Sequence, residues 1–152
     1  MKYLITVGTT SFDPLVEYLD LNLDPSRVEV VFQIANGSYV PKNFNSFPFI
    51  DSILSKYDDF IVVTHAGAGT VFKLLETERK FIAIPNLSRK DHHQLELANF
   101  LKKYNYSEVC FNYAEVVDVI DSKKLMQASY CSYEKEVFFK GVDISKLIKE
   151  CM

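Results

Sequence analysis

Phe60-Ile61-Val62-Val63-Thr64-His65-Ala66-Gly67-Ala68-Gly69-Thr70-Val71-Phe72-Lys73-Leu74-Leu75 reads as an apolar strand, a tight turn and the start of a helix. The two glycines remove Cβ atoms that would hold the backbone away from a ligand. The helix that starts there presents unpaired N–H groups and the positive end of its dipole. Such a turn accepts an anion, and a phosphate suits it. Structure alone also accounts for the glycines, because a strand-to-helix turn often needs positive φ. Gly67-x-Gly69 is followed by Phe72 where a dinucleotide fingerprint would carry its third glycine, so context must choose between the readings.

Outward from this stretch, strand and helix keep alternating. Residues 2–7 are rich in β-branched and aromatic side chains, residues 8–12 make a loop, and Asp13-Pro14 reads as an N-cap with proline at the first helical position of a helix running to Leu21. Residues 28–32 form a second strand, and the polar stretch 36–46, with Gly37, Pro41 and then Pro48, is the longest expected loop and the candidate for mobility. Ile50, Ile53, Leu54 and Tyr57 fall at helical spacing. Residues 81–85 form a fourth strand and 107–111 a fifth. Leu95, Ala98 and Lys102 share a helix side between them, and Asn112 caps the helix of Val116, Val117 and Ile120. Asp143 starts a last helix with Ile144, Leu147, Ile148 and Cys151. This order predicts an α/β fold, a Rossmann-like parallel sheet flanked by helices, in one domain over residues 1–152 with ligands at the carboxyl ends of the strands.

Composition narrows the function. The 152 residues, 48% hydrophobic, fit one core, and no apolar run approaches the about 18 residues of a membrane span, so neither a signal peptide nor a membrane helix is expected. A net charge of −3 without a clustered basic face argues against nucleic acid. Cys110, Cys131 and Cys151 lack metal or redox spacing and read as reduced packing residues of a cytoplasmic protein. Glu78-Arg79-Lys80 reads as solvated charge.

Three loops converge on the ligand edge. Gly8, Thr9 and Thr10 offer hydroxyl and backbone N–H groups to an oxyanion, although such residues also serve turns and caps. His65 admits three roles, general base, phosphate donor, or a histidine that fixes its loop. Asp91-His92-His93-Gln94 carries metal-ligating residue types, but adjacent histidines at a helix start point about 100° apart, so no metal site is expected. Gln94 can pair as donor and acceptor with a base or a sugar hydroxyl, or be solvated. No P-loop is present, which weakens an ATPase or kinase reading.

Taken together, Val7-Gly8-Thr9-Thr10-Ser11-Phe12-Asp13, Thr64-His65-Ala66-Gly67-Ala68-Gly69-Thr70 and Asp91-His92-His93-Gln94-Leu95-Glu96-Leu97-Ala98 resemble the glycosyltransferase family 28 carboxyl-terminal domain, the second half of a GT-B enzyme. They resemble in particular the small donor-binding subunit of the bipartite UDP-GlcNAc transferase of dolichol-linked glycan synthesis, and its bacterial exopolysaccharide and capsule relatives. The resemblance covers about residues 2–104. It implies that Gly67, Ala68, Gly69 and Thr70 receive the diphosphate of a UDP-sugar, that Gly8, Thr9 and Thr10 approach the donor from the first strand, that His93 and Gln94 face the sugar, and that His65 stands beside the leaving group as the candidate catalytic residue. It implies an inverting transferase with no metal or other cofactor, whose UDP-sugar is a substrate. The acceptor, a lipid-linked saccharide, would be held by a membrane-associated partner subunit, placing this chain at the inner face of the membrane through that partner. Residues 130–152 are the candidate segment for docking on it. One departure stands out. Lys73 occupies the position where the family carries the carboxylate that binds ribose, and a lysine cannot accept hydrogen bonds. It motivates an alternative, a non-catalytic enhancer subunit that has lost donor binding.

Overall fold

The computed structural model describes residues 1–133. Strand β1 (Lys2–Thr6) lies inside a six-stranded sheet because Tyr3, Leu4 and Ile5 are apolar toward both faces, and all three are fully buried. Around it in chain order come α1 (Asp13–Asn22), β2 (Glu29–Gln33), β3 (Asn45–Phe47), α2 (Ile53–Lys56), β4 (Ile61–Thr64), α3 (Ala68–Glu76), β5 (Phe81–Ala83), α4 (His93–Lys103), β6 (Glu108–Val109), α5 (Tyr113–Asp121) and α6 (Lys124–Gln127). The strand order is β3-β2-β1-β4-β5-β6, with every neighbouring pair parallel. The expected doubly covered α/β sheet is what the chain forms.

The period of two along each strand divides the core. Tyr3 and Ile5 face Leu15 and Leu19 of α1 and Val116 and Ile120 of α5. Leu4 faces the opposite layer, with Val71 and Leu74 of α3 and Leu97 and Leu101 of α4. Each such fully buried side chain contributes about 1.5–3 kcal/mol of hydrophobic stabilisation. The division positions the site. Strands β1 and β4 are neighbours, with Thr6 beside Thr64, yet the chain leaves β1 toward α1 on one face and leaves β4 toward α3 on the other. A crevice opens between two such diverging connections, at the carboxyl edge of the sheet.

Several local readings shift. The helix after residue 12 begins one position earlier than the Asp13 cap implies. Phe12 is the N-cap and Asp13 is already helical, its Oδ2 accepting the Ser38 N–H at 2.9 Å. The stretch expected as loop contains β3, a three-residue edge strand too short and polar to show periodicity. Its approach is pinned to α1. Asp20, with no exposed surface, accepts the Tyr39 hydroxyl at 2.6 Å, the Lys42 N–H at 2.9 Å and the Asn43 N–H at 3.0 Å. The periodicity at residues 50–57 yields only the short α2. The Asn112 cap is present, its Oδ1 accepting the Glu115 N–H at 3.0 Å while Glu115 Oε2 accepts the Phe111 N–H at 2.8 Å.

Arg79 and Lys80 are not idle surface charge. Arg79 donates to the carbonyls of Leu54, Tyr57 and Phe60, each at 2.7 Å, and burial lowers its pKa. Lys80 donates to the carbonyls of Leu125 and Ala128 at the end of α6. Cys110 is a packing residue, its thiol pushed up to about 12 by burial, whereas Cys131 is exposed. Cys151 and the expected helix at Asp143 lie outside the described residues, as does most of the segment 130–152.

Deleting the Asp20 carboxylate orphans two backbone N–H groups and a hydroxyl in a buried setting. Asp20→Ala is therefore expected to lower the unfolding free energy by about 3 kcal/mol in urea titration and to make residues 36–46 protease-sensitive, with Asp20→Asn intermediate.

Candidate functional site

The loop after β1 is tied down from two strands. Gln33, buried at the end of β2, donates from Nε2 to Thr6 Oγ1 at 3.1 Å and to the Gly8 carbonyl at 3.2 Å, and the Gly8 N–H returns to Thr6 Oγ1 at 3.3 Å. This bends Gly8 to φ +68°, a left-handed conformation that favours glycine. Thr9 and Thr10 beyond it are exposed.

Across that crevice stands the turn after β4, and its glycines answer the question the sequence left open. The left-handed residue is Ala66, at φ +58° and almost fully buried, whereas Gly67 is extended at φ −75° and ψ 135° and Gly69 is helical. Positive φ therefore explains neither glycine. Gly67 is required by the His65 ring, since a Cβ there would lie 2.5 Å from Nε2. The same ring reaches Gly8, where a Cβ would lie 2.8 Å from Cε1. Gly69 is different, because a Cβ there would meet nothing within 4 Å. Helix α3 starts beneath this open space with no side-chain cap and no acidic residue in its first turn, so its leading N–H groups and dipole face outward. Ala68 turns its methyl into the core and Thr70 is half-buried, which leaves the backbone as what this turn presents.

His65 thus joins the first loop to the glycine turn. Burial lowers its pKa to about 4, a hydrogen bond to the Thr6 backbone opposes that shift, and the charge of Arg89 adds to it. At neutral pH the ring is uncharged and a weak base. Its packing against Gly8 and Gly67 is of the kind that fixes a loop.

The third loop follows β5. The Ile84 N–H bonds the Thr64 carbonyl at 2.9 Å, which holds this loop beside His65. Gln94 is buried, and its Oε1 accepts the Asn86 N–H at 2.8 Å, so the side chain is not solvated and its amide nitrogen is the group it can offer a ligand. Arg89 pairs with Asp91 at 3.1 Å. Burial pushes the Asp91 carboxyl up, but the hydrogen bond and charge of Arg89, joined by the backbone N–H and charge of His93, leave it below the usual range. His92 is exposed, while His93 opens α4 with Nδ1 3.8 Å from Glu96 Oε2. Among the described residues no three His, Cys, Asp or Glu side chains gather as a metal set. Lys73 and Glu76 are both exposed on α3.

Of the residues singled out in the sequence, Gly8, His65 and Gly67 are in direct contact, Gly69 faces the open space, and Gln94 braces the neighbouring loop. Gln33 and Arg89 went unread. A glutamine ending the apolar strand Glu29-Val30-Val31-Phe32-Gln33 was the available signal for the first, and nothing local marked the second. A cleft of about 590 Å³ at the opposite, amino edge of the sheet, lined by Lys2, Arg27 and Lys42 among others, holds none of these residues.

Fold and crevice define a Rossmann-like domain in which the start of α3, without a side-chain cap, lies at the topological switch point. The chain belongs to the glycosyltransferase family 28 C-terminal domain, whose family model matches residues 3–148. It is 30% identical over 120 residues to the human UDP-N-acetylglucosamine transferase subunit ALG13, covering 70% of this chain and 11% of that protein. It is 31% identical over 132 residues to the UDP-N-acetylglucosamine--N-acetylmuramyl-(pentapeptide) pyrophosphoryl-undecaprenol N-acetylglucosamine transferase of Pelagibacter ubique, covering 78% of this chain and 35% of that one. The chain thus spans a minor part of these relatives' lengths. Among solved structures it superposes on Acinetobacter baumannii MurG with a TM-score of 0.60 at 20% identity, covering 82% of this chain and 41% of that one. The solution structure of ALG13 gives 0.58 at 16% identity, with 87% and 90% covered. These likenesses are of fold, that of a GT-B carboxyl-terminal domain.

The sign of the His65 shift yields a test. A histidine whose pKa is lower folded than unfolded binds fewer protons in the native state, so stability falls as pH drops from about 6.5 toward about 4. His65→Gln is expected to flatten that part of the stability–pH curve in urea titrations at pH 7, 6 and 5, whatever it costs at pH 7.

Proposed function

We propose that this chain is the UDP-sugar-binding, catalytic subunit of a two-subunit inverting glycosyltransferase that extends a lipid-linked polysaccharide intermediate. The observation that carries the reading is the unoccluded backbone at Gly69, where the uncapped start of α3 meets the crevice between the β1 and β4 loops. The diphosphate would lie on the N–H groups of residues 67–70. In the transfer, an acceptor hydroxyl attacks the anomeric carbon, the bond from that carbon to the diphosphate breaks, and a base removes the hydroxyl proton. The leaving UDP gathers negative charge as the bond breaks. Fixed N–H groups and a helix dipole stabilise that charge without having to reorganise.

Gly8, Thr9 and Thr10 would close on the donor from the facing loop, and the Gln94 amide with His93 would meet the sugar. His65, neutral and wedged between two glycines, would hold the two loops in register beside the leaving group, with the stronger base supplied by the partner. A membrane-associated subunit holding the lipid-linked acceptor completes the enzyme. The subunit wording in the name of the human relative supports that reading. Among the described residues no helix is long and apolar enough to cross a membrane. The work would then lie at the cytoplasmic face, through the partner. The alternative, an enhancer subunit without donor binding, rests on Lys73, exposed on α3 where the family's ribose carboxylate is expected.

Calorimetric titration of UDP and of UDP-sugars, into the chain alone and with its co-purified partner, separates the two. Heat of binding is expected, and Gly69→Val should abolish it, because the new side chain would fill the space the phosphates need. Silence in both preparations would leave only the enhancer reading, and normal binding by the valine variant would move the site elsewhere.

A further inference from the structure

Helix α3 brings little side-chain charge to the ligand. Its one basic residue, Lys73, sits in the last turn, away from Gly67, and its start contributes only about half a positive charge. A diphosphate carries more negative charge than that, so a cation from a neighbouring loop is needed. The β5–α4 loop supplies one.

Arg89 stands on a loop that is fixed at both ends. The Ile84 N–H is bonded to the carbonyl of Thr64, the residue before His65, and the Asn86 N–H to Gln94 Oε1. Within the loop, Asn86 Oδ1 accepts both the N–H and the hydroxyl of Ser88, so the turn leading into Arg89 is itself ordered. That anchoring holds the loop beside His65, whose ring packs against both Gly8 and Gly67. Its own pairing is slight. Nε and Nη2 both reach one oxygen, Asp91 Oδ2, at 3.1 Å, two residues along the same loop, and both side chains are 34% exposed. A guanidinium has five N–H donors in a planar fork that suits phosphate oxygens, and a partly exposed local ion pair is readily exchanged for a stronger anion.

We propose that Arg89 is the side-chain cation of the donor site. It closes on the diphosphate of the nucleotide sugar and exchanges Asp91, which parks it when no nucleotide is bound, for phosphate oxygens. The inference rests on the nucleotide-sugar reading above and adds to it a residue that would stabilise the departing diphosphate alongside the α3 backbone. Lys90, the next residue, is exposed and has no part in this exchange.

NMR titrations of the full chain with UDP and with uridine test it. Arg89→Ala is expected to weaken UDP by about tenfold or more while leaving uridine unchanged, since the nucleoside has no phosphate for the guanidinium to grip. Arg89→Lys should recover part of the loss, Lys90→Ala should bind UDP as the unaltered chain does, and Asp91→Asn should bind it at least as tightly. Preserved uridine shifts report that each variant is folded. Equal UDP affinity for Arg89→Ala and the unaltered chain, with Gly69→Val still failing to bind, would overturn this inference alone. A Lys90→Ala loss as large as that of Arg89→Ala would overturn it too, because it would show a diffuse field and no specific contact. No UDP binding by the unaltered chain, alone or with its partner, would remove the nucleotide-sugar reading and this inference with it.

Discussion

Two neighbouring parallel strands that send their helices to opposite faces of the sheet cannot also close the gap between their loops. That divergence after β1 and β4 is the constraint on which the site depends. One imidazole fills the gap, packed against backbone at Gly8 and at Gly67 where neither residue has a Cβ. Burial keeps that ring neutral, so it occupies the space without placing a fixed charge beside the start of α3. With the gap filled, the first turn of α3 has no side-chain cap, and a Cβ on its Gly69 would meet nothing within 4 Å.

The surrounding structure holds this geometry from a distance. Gln33 reaches from β2 to both Thr6 and Gly8, so the first loop is braced by a neighbouring strand. Gln94 braces the third loop through the Asn86 N–H. On the far side of α1, Asp20 fastens the polar segment ahead of β3, and Arg79 satisfies three carbonyls around α2 that no helix or strand would otherwise engage. Charged and polar residues do much of the ordering in this domain, while the apolar ones set the layers.

Legibility followed the range of the interaction. Helices α3, α4 and α5 and strands β1, β2, β4 and β5 could be read because apolar spacing is a property of adjacent residues. The polar edge strand β3 had no such spacing. The glycine turn stands out in the sequence, but the setting of each glycine does not, since Gly67 answers to the ring of His65 and a Cβ on Gly69 would meet no neighbour. Ala66 was passed over because an alanine at positive φ carries no mark in the sequence. Arg89 carries no mark either, because the approach of its loop to His65 depends on how β4 and β5 pair.

The sequence by itself determined the alternation of strands and helices, the Gly8, His65–Thr70 and His93–Gln94 clusters, and through their order the family. These are local patterns, set by side-chain period and turn chemistry. Only the tertiary structure decided what those clusters touch. Gln33 meets Thr6 across 27 residues, Asp20 meets Tyr39 across 19, and Arg79 meets Leu54 across 25. Contacts of that separation exist only after the sheet has paired and its layers have closed, so no window of sequence contains both partners.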